Sequence, residues 1–139
     1  MKSLVLIFSI LFSLTSCSEK ETNQQKNSIY GTWQLIEIYQ SDGGSNPQWI
    51  SVDIGYTYIF NNDGTFSSTR FTECTSGTYE ISSDSITLDY SCVGFDTGVE
   101  NPSGTFIESY IFENAYLILT PSYLNCIEGC DYKFEKVES

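Results

Sequence analysis

The 139-residue sequence predicts an all-β domain, an eight-stranded antiparallel up-and-down barrel, beyond its N-terminal segment. Three observations carry that prediction. From residue 29 onward short runs of Tyr, Phe, Ile, Thr and Leu alternate with Gly, Asn, Asp and Ser, no stretch keeps a helical period, and short connections alternate with long ones. Eight strands in such a meander can close on themselves and leave no exposed edge.

The first strand is expected at 32–39, where period two puts Trp33, Leu35, Glu37 and Tyr39 on one face. If Trp33 faces in, so do the other three. The second, at 56–60, offers Tyr56, Tyr58 and Phe60 to the same interior, and Asn61-Asn62-Asp63-Gly64 then makes a tight turn because these residues tolerate positive φ. The turn has a faint likeness to a calcium loop, but it lacks the ligand spacing and the distal Glu. No metal site is expected.

The third strand, at 65–71, is ambiguous at its end: counting from Phe66 places Arg70 inside, whereas counting from Phe71 places it outside. Both parities stay open. The fourth (78–82) and fifth (85–91) give Tyr79 with Ile81, then Ile86, Leu88 and Tyr90, against the polar set Ser85, Thr87, Asp89 and Ser91. One face is wet and the other dry. The sixth (105–112) contributes Phe106, Glu108 and Tyr110, and strands at 116–120 and 132–137 complete the barrel.

In a meander the short turns at 61–64, 83–84 and 113–114 share one end, and the long loops at 40–55, 72–77, 92–104 and 121–131 share the other. Cys74, Cys92, Cys126 and Cys130 all fall at the long-loop end. Four cysteines in an exported chain read as two disulfides stapling that rim, and of three possible connectivities Cys74–Cys92 with Cys126–Cys130 is favoured.

Export is read from residues 1–16, where Lys2 precedes a short apolar stretch that ends in Leu14-Thr15-Ser16-Cys17. This resembles the lipobox of bacterial lipoproteins, which implies cleavage before Cys17 and attachment of lipid, with palmitate among the acyl chains. Residues 17–28 are then a polar tether and residues 29–139 the domain. Ser18-Glu19-Lys20-Glu21 resembles an export signal of Bacteroidota surface lipoproteins, so an outer-membrane anchor is expected, on the periplasmic side or the cell surface.

Gly31-Thr32-Trp33, the Phe60–Phe66 hairpin and the strand Gly77-Thr78-Tyr79-Glu80-Ile81 together resemble the lipocalin-like domains of Bacteroidota lipoproteins. The resemblance implies that Trp33 plugs the closed base of the barrel. It also implies a basic residue from a late strand against that Trp, and here Lys133 or Lys136 must supply it. A Thr-Asp-Tyr loop motif found in the family's main branch is missing.

Charge and composition exclude several functions. Removing residues 1–16 takes away Lys2 and no acid, so the formal charge goes from −12 to −13, and phosphate backbones have no basic patch to bind. Nucleic acid is not a partner. There is no His, which removes Ser-His and Cys-His nucleophiles, and Glu37 with Glu108 is a carboxylate pair that nothing in the sequence brings to a working distance. No enzyme activity and no cofactor are expected.

The interior tyrosines Tyr58, Tyr79, Tyr90 and Tyr110, with Arg70 and Glu37, either line a seat for a small hydrophobic or amphipathic ligand or simply fill a small barrel. Trp49, in the longest loop, is a lid over the mouth, a partner anchor, or a residue folded back over the core. The chain is expected to be a monomer, membrane-held through Cys17. The alternative to a small ligand is a basic protein partner, as for small stapled barrels that inhibit lysozyme.

Overall fold

The computed structural model describes residues 28–41, 46–126 and 129–138, so Cys17 lies outside the described residues. Among the described residues nine strands form in chain order: β1 (Gly31–Gln40), β2 (Gln48–Ser51), β3 (Thr57–Phe60), β4 (Thr65–Ser68), β5 (Ser76–Ser82), β6 (Ser85–Tyr90), β7 (Thr105–Glu113), β8 (Tyr116–Pro121) and β9 (Asp131–Val137). Eight of them close a barrel. Each pairs antiparallel with its neighbour from β3 to β9, and β1 bridges β3 and β9. The eight-stranded up-and-down barrel expected from the sequence is therefore the fold.

The ninth strand, β2, lies inside what the sequence marks as one long loop. It pairs with the far half of β1 from Glu37↔Ser51 to Gln40↔Gln48, while β3 pairs with the near half from Gly31↔Phe60 to Gln34↔Thr57. Together they are one interrupted strand. Leu35 N donates to Tyr56 O at 3.0 Å and Val52 N to Ile36 O at 2.8 Å, carrying the ladder across the interruption. A Cβ on Gly55 would sit 1.8 Å from the Leu35 carbonyl oxygen, so only glycine lets the two chains approach there.

β1 itself is irregular at the same level. Its register against β9 runs Leu35↔Phe134 and then Glu37↔Lys133, which leaves Ile36 as an extra residue. A bulge flips side-chain parity. Trp33 and Leu35 point into the core, Ile38 packs against it beyond the bulge, and Glu37 and Tyr39, expected inside, face outward.

The interior is filled by side chains. Trp33, Tyr58, Phe60, Phe66, Phe106 and Phe134 are fully buried with Ile86, Leu88, Leu117 and Leu119. The rings pack on one another, Tyr58 stacked on Phe60 at 5.4 Å, and Phe60 with Tyr79 and Phe66 with Tyr90 meeting edge-on, each at 5.0 Å between centroids. At the short-turn end Trp33 Nε1 donates to Ile29 O at 2.6 Å, and Lys136 Nζ lies 5.3 Å from the Trp33 ring centroid. Lys136 is thus the late-strand cation over the base tryptophan.

The turns between β3 and β4, β5 and β6, and β7 and β8 gather at that closed end. The hairpin at 61–64 turns on Gly64 at φ +80°. At the opposite end Cys74 is bonded to Cys92 and Cys126 to Cys130, the favoured connectivity. The rim is stapled within neighbouring loops, not across the mouth.

Candidate functional site

The open half of the barrel is organised by Arg70. Strand β4 ends at Ser68, where Ser68 Oγ accepts from Arg70 N at 3.0 Å, so beyond it the alternation no longer applies and both Arg70 and Phe71 turn inward. That resolves the ambiguous parity. Arg70 Nη1 donates to Tyr58 Oη and to Glu108 Oε1, each at 3.1 Å, and Nη2 donates to Tyr123 Oη at 2.8 Å. Tyr123 in turn donates to Glu108 Oε1 at 3.2 Å.

Four rings surround the guanidinium. Its carbon lies 5.0 Å from the centroid of Phe71, 5.2 Å from Phe106, 5.5 Å from Tyr56 and 5.9 Å from Tyr132, within the range of cation–π attraction. The Arg70 side chain is 13% exposed and that of Glu108 only 2%. This is a charged plug set in an aromatic cage. Burial pushes the Glu108 carboxyl above its ordinary value, while the charge and hydrogen bonds of Arg70 and the Tyr123 hydroxyl pull it back. Burial likewise holds Tyr56 and Tyr58 well above the usual phenol range.

Tyr90 belongs to the same half. Its hydroxyl is buried with no hydrogen-bond partner in good geometry among the described residues, although Tyr58 and Ser68 lie close enough to oppose the upward push of burial on its pKa. So Tyr58, Arg70 and Tyr90 come together inside the open half of the barrel, below its rim. Glu108 joins them from β7, and Tyr123, a loop residue without a strand pattern to reveal it, is an added member.

The remaining expected ligand residues lie elsewhere. Tyr79 donates to Asn61 O at 2.7 Å and Tyr110 to Ser83 O at 3.4 Å, which places both hydroxyls at the closed-end turns, away from the mouth. Burial, with Tyr30 and Asp63 adding to it, pushes the Tyr79 pKa up to about 12. Glu37 bonds Lys133 on the outer wall, a consequence of the bulge in β1. Trp49 stands beside them on β2, its ring 5.2 Å from Tyr39 and 3.9 Å from Lys133 Nζ, and so covers neither mouth nor core.

Two cavities open at the rim. One, of about 470 Å³, is lined by Phe71, Glu73, Cys92, Val93, Phe95 and Asp96, among others, and the second, of about 550 Å³, by residues around the Cys126–Cys130 bridge. The loop behind the first is built on Glu100, which sequence reasoning passed over. Burial works against its charge, yet bonds from Thr97 Oγ1, Thr97 N and Gly104 N hold its pKa down to about 2.

Glu37 is on the outer wall and Glu108 is inside, so they cannot act as a pair on one substrate. What the mouth offers is aromatic area, fixed hydroxyls and fixed charge. Against known proteins, a family model described as a lipocalin-like domain matches residues 29–119. No curated protein matches the chain.

Proposed function

Since the chain belongs to the family of lipocalin-like domains, we propose that it is a lipid-anchored, non-catalytic binding protein that takes a small amphipathic molecule at the barrel mouth. The observation that carries this reading is the contrast in filling: fully buried rings occupy the lumen, whereas an aromatic-floored cavity lies at the rim. The lumen among the tyrosines is filled by its own side chains, which puts the seat at the rim instead. Cys17 would hold the chain in the outer membrane through its lipid, and because the chain enters the barrel beside Trp33, the mouth would face away from that membrane.

The second reading, a basic protein partner, is favoured by the charge of −12 and by Glu73 and Asp96 on the rim. One experiment separates the two. Wild type and Cys17→Ala are expressed with labelled palmitate, and the mature domain is used to capture cell and environmental extracts at low and high salt. The expected outcome is label on the wild type only, with a small molecule retained at both salts. Capture of a basic protein lost at high salt selects the alternative, and equal label on Cys17→Ala overturns the anchor.

A further inference from the structure

We propose that the rim cavity beside Phe71 and Phe95 selects amphipathic molecules that carry a cationic amine. This rests on the reading that the mouth binds a small molecule. The apolar body of the ligand would lie on the two rings and its ammonium toward Glu73 and Asp96.

The floor is rigid and aromatic. Phe71 stacks on Phe106 at 5.4 Å, and Phe95 lies 5.1 Å from both Phe71 and Tyr90, so the two cavity rings rest on the barrel core. One wall is fixed by the Cys74–Cys92 bond. Val93 stands fully exposed at the edge, an aliphatic side chain available to cover the ligand.

The charge around this floor has one sign. The lining includes Glu73 and Asp96 and no Lys or Arg. Asp96 is held in place, its carboxylate oxygens accepting from Gly98 N at 2.7 Å and Ser103 Oγ at 2.9 Å. A fatty-acid-like carboxylate would meet these two anions.

Arg70 does not reverse that preference, close as it is. Its guanidinium is already bound by Glu108, Tyr58 and Tyr123 and is largely buried beneath Phe71 and Phe106, so its charge is compensated from below. The field a ligand meets in the cavity is that of Glu73 and Asp96. The overall charge of −12 steers cations in the same direction.

The test uses the full mature chain with its disulfides intact and three probes of one shape: phenylbutylamine, phenylbutanol and phenylbutyrate. Titration calorimetry at low and high salt is expected to show the amine binding about tenfold tighter than the carboxylate, with the alcohol between and the gap closing as salt rises. Glu73→Gln, at an exposed position, is expected to weaken the amine about threefold and leave the alcohol unchanged. Phe95→Ala should weaken all three. If the amine binds no tighter than the alcohol, or is indifferent to Glu73→Gln, the cation preference is overturned while the small-molecule reading stands. If none of the three binds, both fall.

Discussion

The closed and open halves of this barrel bury polar side chains in different ways. In the closed half polar tips are tied to backbone: the buried Trp33 to Ile29 O, the buried Tyr79 to Asn61 O, and the half-buried Tyr110 to Ser83 O. In the open half side chains bind side chains, with Arg70, Glu108, Tyr58 and Tyr123 forming a network that any one substitution would break. A backbone carbonyl stays put whatever residue occupies the position, whereas an ionic plug depends on every member. The closed half therefore secures the fold. A buried ion pair is often no more stable than a well-packed apolar replacement, so stability alone does not account for the plug.

The sharpest way to break this comparison is to remove one residue from each half. Arg70→Met leaves Glu108 buried without its cation and is expected to cost about 3–5 kcal/mol, and Trp33→Ala leaves a cavity at the base with a cost of about 3–5 kcal/mol. Their magnitudes match but their remedies differ. Adding Glu108→Leu to Arg70→Met should recover most of the loss, because an apolar pair can replace an ion pair, while the same change should not rescue Trp33→Ala.

The pH response separates them further. The ordinary Glu108 value is near 4.5, and burial raises it in the folded chain, the more so once Arg70 is gone. As pH rises past that value the unfolded chain gives up the proton first, so Arg70→Met loses stability from about pH 4.5 upward until the raised folded value is passed. Below the ordinary value both states hold the proton and the extra penalty vanishes. Urea unfolding of the variant from acid to neutral pH reads this slope, and a flat difference from wild type would show that Glu108 carries no charge in the plug.

Next in size are the staples. Cys74 and Cys92 are separated by 18 residues and Cys126 and Cys130 by 4, so loop entropy assigns about 3 kcal/mol to the first bridge and about 2 kcal/mol to the second. Paired Cys→Ala variants should rank in that order by thermal unfolding. The first bridge also anchors the wall of the rim cavity, so its loss should lower affinity for any mouth ligand as well as stability. The second should spare ligand binding.

Much of this was legible in the sequence, and the exceptions have physical causes. The eight strands of the barrel and its closed and open ends follow from alternation, turn chemistry and loop length, all of which are local; the favoured disulfide pairing and the base position that the family resemblance implies for Trp33 also hold. The orientation of Glu37 did not follow, because one extra residue at Ile36 reverses parity and Ile36 is an ordinary strand residue. β2 escaped notice because four residues, Gln48 to Ser51, show too little alternation to mark a strand. Tyr123 joins Arg70 and Glu108 only through the closing of the barrel, from a loop 53 residues beyond Arg70. Long-range convergence of that kind leaves no local signature.

The smallest expected effects lie on the outer wall, where Glu37, Lys133, Tyr39 and Trp49 cluster over β1, β2 and β9. Glu37 and Lys133 are 28% and 16% exposed, so water screens their attraction, and Glu37→Gln is expected to cost no more than about 1 kcal/mol. The Lys133 ammonium over Trp49 adds a second weak coupling of about 0.5–1 kcal/mol. A double-mutant cycle of Lys133→Met with Trp49→Ala, read by urea unfolding, isolates it. These modest values depend on the bulge at Ile36 having turned Glu37 outward. If Glu37→Gln instead cost several kcal/mol, as breaking a buried pair does, Glu37 would belong inside the barrel beside Arg70 and the division between ionic interior and screened wall would be redrawn.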